Sequence, residues 1–191
     1  GTLPNVFFSS VLKKITPKGE VLFPAEGEGR NAVYAAKNGL KVTAFDTSIV
    51  GRKKALKLAE KENVKINYQV GDLFDLDIID KHFDAAVLIF AHFPPAILSK
   101  YHQKIGDIIK PNGLIILEGF SKNHLKFREE NPNIGGPNIA EMLFSEESIA
   151  ADFPDFEIIQ LEEVEVALTE GKFHNGVGSV IRFIGKKRAV F

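Results

Sequence analysis

The feature that most constrains this chain is a repeated alternation. Short apolar runs end in a glycine or an acid, and most are followed by a stretch with helical spacing. Residues 21–25 run into Glu26-Gly27-Glu28-Gly29, and a helical stretch from Arg30 stops at Asn38-Gly39, a helix C-cap signal. Residues 41–45 close on Asp46, and Ser48 can cap a helix that runs to Asn63. Residues 66–70 end at Gly71-Asp72. Residues 83–90, the most apolar run, end before His92-Phe93-Pro94-Pro95. A helix over 96–109 stops at Pro111-Asn112-Gly113, and 114–117 is a fifth run. Strands alternating with helices predict right-handed βαβ units in a parallel sheet, hence an α/β fold. The unbroken apolar run 85–90 predicts a sheet covered on both faces.

After Phe120 the texture changes. Residues 121–138 are polar, rich in Gly, Pro and Asn, and without periodicity, so a structureless lid, binding loop or disordered stretch is expected there. Ser145-Glu146-Glu147-Ser148 opens a short helix, and 156–168 with 177–187 read as a hairpin forming an antiparallel edge. With no repeat and no linker, 1–191 is expected to be one domain, long enough to bury a real core.

Composition then excludes whole classes of chemistry. There is no Cys, so disulfides, thiolate metal sites and Cys nucleophiles are out. His82, His92 and His102 stand ten residues apart, which matches no local metal geometry, and no metal is expected. Lys+Arg 24 against Asp+Glu 25 argues against nucleic-acid binding. No apolar run is long enough for a membrane span. Gly1-Thr2-Leu3-Pro4 lacks the features of a signal peptide and a starting Met, so a cytoplasmic protein trimmed upstream is expected. A monomer or homodimer is expected.

The first turn reads Gly27-x-Gly29-x-x-Ala32. Backbone N–H groups in such a turn, together with the next helix N-terminus, can face a polar ligand closely. Asp46, 19 residues beyond Gly27, ends the second strand, where a carboxylate can accept both hydroxyls of a ribose. A nicotinamide dehydrogenase would hold a pyrophosphate at this turn, but Glu26 and Glu28 flank Gly27 and oppose a dianion. The ammonium and sulfonium of S-adenosylmethionine suit nearby negative charge. Asp72, with Leu73 and Phe74 behind it, can take an adenine by accepting from its exocyclic amine.

These residues resemble the class I S-adenosylmethionine-dependent methyltransferases, especially the small bacterial group related to tellurite-resistance and thiopurine-type enzymes. The resemblance is carried by Phe23-Pro24-Ala25-Glu26-Gly27-Glu28-Gly29-Arg30-Asn31-Ala32, Val42-Thr43-Ala44-Phe45-Asp46, Gly71-Asp72-Leu73, Ile89-Phe90-Ala91-His92-Phe93-Pro94-Pro95 and Lys110-Pro111-Asn112-Gly113-Leu114. Gly135-Gly136-Pro137 and Phe173-His174-Asn175-Gly176 resemble later segments of the subgroup. It implies a Rossmann-like three-layer αβα sandwich around a seven-stranded, mostly parallel sheet of order 3-2-1-4-5-7-6, with the last strand antiparallel. It also implies S-adenosylmethionine as cofactor, held by Ala25, Glu26, Gly27, Gly29, Arg30, Asn31, Asp46, Thr47, Asp72, Leu73, Phe90 and Ala91, and in-line methyl transfer to a small-molecule acceptor. A non-catalytic cofactor-binding sensor or scaffold is the alternative, and a NAD-dependent oxidoreductase a more distant one. The sequence departs from the family pattern where Phe23 replaces the usual strand-end acid and Ala25 the first glycine, so Glu26 is expected to supply a carboxylate from a shifted position. The N-terminal segment that helps cover the cofactor in such enzymes is expected to be mostly absent.

His92 and His174 are the candidate catalytic groups, the first against the reading of a helix-capping loop residue, the second against a turn residue. His124 reads as solvated, Glu118 as a substrate-orienting or salt-bridging residue, and Arg30 as a partner of Glu26 or Glu28. Several of the 16 Phe residues (Phe45, Phe74, Phe90, Phe93, Phe120) fall at strand carboxyl ends, with Phe127 and Phe173 in the loops above, predicting an apolar aromatic pocket rim.

Overall fold

The computed structural model describes residues 1–15, 19–78, 80–169 and 175–189. In chain order the elements are α1 (Val6–Ile15), β1 (Glu20–Pro24), α2 (Arg30–Lys37), β2 (Lys41–Asp46), α3 (Ile49–Lys61), β3 (Asn67–Val70), β4 (Phe83–Ile89), α4 (Leu98–Asp107), β5 (Ile109–Phe120), α5 (His124–Glu130), α6 (Glu146–Asp152), β6 (Phe156–Thr169) and β7 (Asn175–Lys187). They build one seven-stranded sheet of order β3-β2-β1-β4-β5-β7-β6. The first five strands pair in parallel, and β7 runs antiparallel to both β5 and β6. This is the Rossmann-like methyltransferase architecture that the sequence resemblance implies.

Local chemistry sets the boundaries. The Ser48 side chain accepts from the Gly51 N–H and starts α3, and Ser145 and Ser148 close a reciprocal capping box on α6. Residues 110–113 loop out before β5 resumes its pairing with β4 at Leu114, with Asn112 in the left-handed region at φ 65°. Side chains alternate across the sheet. Val21 and Phe23 point toward α1, α2 and α3, where Phe8 meets Phe23 edge-on with centroids 5.7 Å apart. Leu22 and Leu88 point the other way, into a cluster with Ile105 of α4, Ile149 of α6, Phe153 and Phe183. A sheet hydrophobic on both faces is stable only with a helical layer on each.

Before β1 the chain forms α1, which buries Phe7, Phe8, Val11 and Leu12 because its apolar residues recur at helical spacing. One sequence expectation is corrected here: residues 121–138 are not structureless. They contain α5 and a single 3₁₀ turn (Pro132–Ile134), followed by another at Ala140–Met142. A third apolar cluster of Phe120, Ile134, Leu143, Leu168 and Val180 fastens this region to the carboxyl end of β5 and to the β6–β7 ribbon.

Candidate active site

The loops after β1, β2 and β3 are laced together at the carboxyl edge of the sheet. Asp46, ending β2, accepts the Gly27 N–H on Oδ2 at 3.0 Å and the Ser48 N–H on Oδ1 at 2.8 Å. Tyr68 of β3 donates its hydroxyl to the Gly27 carbonyl at 2.6 Å, and burial pushes its ionisation far above the ordinary tyrosine range. Each Asp46 oxygen keeps a second lone pair for an outside donor. Among the described residues nothing stands within 4 Å of where a Gly27 Cβ would lie, so a ligand can approach the backbone there.

Glu26 takes a role that sequence spacing does not show. Its Oε1 accepts the N–H groups of Asn31 (2.9 Å) and Ala32 (2.8 Å), so its carboxylate caps the N-terminus of α2. Burial pushes its pKa up to about 7, against the opposing pull of those two N–H donors and of Arg30. A pyrophosphate bound as in dinucleotide folds would need the same helix N-terminus, which a carboxylate of this chain already fills. Glu28 instead faces outward and pairs with Lys54. Of the two acids offered as partners of Arg30, Glu26 is one that its charge acts on.

A cavity of about 380 Å³ opens beside this loop. Ala25, Phe45, Asp46, Thr47, Gly71, Asp72, Leu73, His92, Phe93, Pro94, Ile97 and Tyr101 line it. It brings together Ala25, Asp46, Thr47, Asp72, Leu73 and His92 from the sequence-derived set. Glu26, Gly27, Gly29, Arg30 and Asn31 belong to the β1–α2 loop and helix start, and Phe90 and Ala91 follow β4. Ala25 (φ 49°) and Phe90 (φ 52°) both hold the left-handed backbone region, at the carboxyl ends of β1 and β4. Non-glycine residues pay for that conformation, and such strain concentrates at functional clefts. The aromatic rim is present in Phe45 and Phe93, both of which line the cavity.

His92 is held at both ring nitrogens. Nδ1 lies 2.8 Å from the Met142 carbonyl, and the Phe120 N–H points at Nε2 from 3.1 Å. A carbonyl requires a donor at Nδ1 and an N–H requires a lone pair at Nε2, so the ring is neutral with its proton on Nδ1. It does not cap the following helix. It stands in a row of stacked rings, Phe144–His92 (4.7 Å), His92–Phe120 (5.7 Å) and Phe120–His124 (4.0 Å). Gly119 lies beneath this row, and a Cβ there would run into the Phe144 ring. His124 is fully buried, not solvated, with Nε2 3.1 Å from the Gly135 carbonyl, and burial lowers its pKa. His174 and Phe173 lie outside the described residues.

Three residues escaped the sequence reading. Tyr68 and Tyr101 place hydroxyls on Gly27 and Asp72. Asn5 caps α1, donates its side-chain N–H to Glu118 Oε1 at 2.6 Å, and donates its backbone N–H to Asn31 Oδ1 at 2.9 Å. Glu118 is 3% exposed and forms a salt bridge with Arg182, whose guanidinium lies 4.9 Å from the Phe7 ring centre. Among the described residues no group of three or more His, Asp or Glu could hold a metal, and no helix is long and apolar enough to cross a membrane.

Comparison with known proteins agrees with this geometry. Residues 21–113 match the family model described as a methyltransferase domain. No curated protein sequence matches the chain. Among solved structures, the chain is similar to one concerned with converting a disulfide bond into a thioacetal group during echinomycin biosynthesis (TM-score 0.78, 16% identity, 97% of this chain and 82% of that one). It is similar to TehB from Haemophilus influenzae (TM-score 0.74, 18% identity, 95% of this chain and 61% of that one). It also resembles the magnesium protoporphyrin IX methyltransferase ChlM from Synechocystis with bound S-adenosylhomocysteine (TM-score 0.70, 17% identity, 95% and 80%). The chain thus shares the fold of these structures, a seven-stranded Rossmann-like sheet, and its residues 21–113 are similar to a methyltransferase domain.

Proposed function

We propose that this protein binds S-adenosylmethionine in the cleft above β1, β2 and β3 and methylates a small-molecule acceptor. The observation that carries this reading is the placement of two carboxylates, Asp46 and Asp72, on one apolar-walled cavity at adjacent strand ends. A nucleoside needs that donor set: a carboxylate with spare lone pairs for ribose hydroxyls, a second for an exocyclic amine, and apolar walls (Leu73, Phe93, Ile97) for the base. Ala25, Gly27, Gly29, Thr47, Phe90 and Ala91 then line the backbone path along the cofactor, and Glu26, Arg30 and Asn31 fix the start of α2 beside it.

Bound there, the cofactor supplies an activated methyl group on a sulfonium that is already a good leaving group. The chain's own contribution is to hold the acceptor in line and keep water out. His92 serves this as a wall: with Nε2 occupied by the Phe120 N–H, it orients the acceptor side of the cleft and takes no proton. An acceptor that loses no proton on methylation, such as a soft sulfur or selenium atom, fits a site of this kind. His174, outside the described residues, is kept as the second proposed catalytic group on the strength of the sequence resemblance alone.

Titration calorimetry with S-adenosylmethionine and S-adenosylhomocysteine tests the reading. Micromolar binding of both supports it, and a folded protein that binds neither rejects it. A mass-spectrometric screen of small acceptors then separates an enzyme from a cofactor-binding sensor.

A further inference from the structure

Tyr101 lies on α4, lines the cavity and is 4% exposed. Its ring is wedged between Phe93 (4.5 Å) and Phe74 (5.2 Å), so its hydroxyl has one place to go. That hydroxyl donates to Asp72 Oδ2, while the other Asp72 oxygen accepts the Phe74 N–H at 3.0 Å. The Leu73 backbone N–H in turn supports the Tyr101 oxygen. Asp72 therefore cannot rotate about its last torsion without losing one of two hydrogen bonds. Its two remaining lone pairs, one per oxygen, are fixed in direction at the cavity wall.

We propose that Tyr101 is a positioning residue that makes the cavity select adenine over hypoxanthine, by fixing Asp72 as an acceptor that cannot turn. This rests on the nucleoside reading of the cleft given above. The chemistry is asymmetric. Adenine presents an amine donor at its six-position, which a fixed carboxylate lone pair receives. Hypoxanthine presents a carbonyl oxygen, which the same lone pair repels. A carboxylate free to swing would relax both the attraction and the repulsion, because water could fill in around it. Burial and the Asp72 charge together push the Tyr101 hydroxyl up to about 12, so it remains a donor at any working pH.

The test compares S-adenosylhomocysteine with its deaminated analogue, S-inosylhomocysteine, by titration calorimetry on the full chain. Wild type is expected to prefer the adenine form by at least about tenfold, the size of a good hydrogen-bond discrimination. Tyr101→Phe keeps the ring packing and is expected to shrink that preference to within about threefold, mostly by weakening the adenine form. A variant that loses thermal stability yet keeps the wild-type preference assigns Tyr101 a packing role and overturns the proposal. A folded wild type that binds neither compound overturns the functional reading itself, and this proposal with it. Fluorotyrosine-labelled protein supplies a readout that needs no stable binding variant. The Tyr101 fluorine resonance, assigned by its loss in Tyr101→Phe, is expected to shift with the adenine form and much less with the hypoxanthine form. Equal shifts overturn the proposal.

Discussion

The Glu26 carboxylate accepts the Ala32 backbone N–H at 2.8 Å, inside the first turn of α2. Its pKa, pushed up to about 7 by burial from an ordinary 4.5, makes folding favour the protonated form. The native state then holds the proton more tightly than the unfolded chain, so this residue's contribution to stability falls as pH rises from 4.5 to 7 and is flat above. Glu26→Gln has no such dependence. The melting temperature of wild type relative to Glu26→Gln is expected to drop between pH 5 and pH 8, and a difference that stays constant across that range contradicts this assignment.

Arg182 and Glu118 form the other charged contact at the carboxyl edge, at 2.7 Å across the β5–β7 pair. Removing Arg182 leaves the buried Glu118 carboxylate with the Asn5 amide hydrogen bond but without its counter-charge. Arg182→Ala is expected to cost roughly 3 kcal/mol in urea unfolding, toward the low end for broken buried pairs because the guanidinium is partly exposed. The double variant Arg182→Met with Glu118→Leu is expected to recover most of that loss. A double variant no more stable than the single one would mean the cost comes from lost packing on Phe7.

Asp46 has both a structural and a binding role. Asp46→Ala removes the Gly27 anchor and the proposed ribose contacts together, and is expected to weaken S-adenosylhomocysteine binding by roughly 1–3 kcal/mol. Unchanged affinity in calorimetry refutes the ribose role.

His124 is held neutral by burial, with Nδ1 finding no hydrogen-bond partner among the described residues. A histidine whose native pKa is lowered contributes stability above its ordinary value of 6.5 that is lost as pH falls below it. Charging the ring would put an unsatisfied N–H against Gly178. Limited proteolysis at pH 5.5 is therefore expected to cut within residues 121–138 before any other described region, and His124→Phe is expected to remove that sensitivity. Acid cleavage beginning elsewhere refutes the role given to His124.

The alternation of apolar runs and helices is enough to place β1 to β5, and with them Asp46 at the end of β2 and Gly71-Asp72 directly after β3, because strand ends are local features. The partners of those acids were not legible. Tyr68 meets Gly27 across 41 positions, Tyr101 meets Asp72 across 29, and Asn5 meets Glu118 across 113. No pattern within a helix or strand marks such a pair. α5 was hidden for a related reason: Asn123 makes no side-chain cap, the helix is seven residues long and mostly charged, and Gly135, Gly136 and Pro137 follow closely. Its order comes from the stacking of His124 on Phe120 and from the cluster beneath it, which are tertiary contacts. Glu26 stands out in the sequence by its charge, whereas its partners, the Asn31 and Ala32 N–H groups, are set by the start of the next helix.

The row of rings from Phe144 through His92 and Phe120 to His124 stacks, face on face, side chains drawn from the β4–α4 loop, the end of β5, α5 and the segment before α6. The consequence concerns transplantation. Swapping residues 121–144 from a homologous scaffold to change acceptor scope would remove two of the four rings and leave His92 facing an unmatched neighbour. The exchangeable cassette is larger: His92, Gly119 and Phe120 must travel with the segment for the graft to seat.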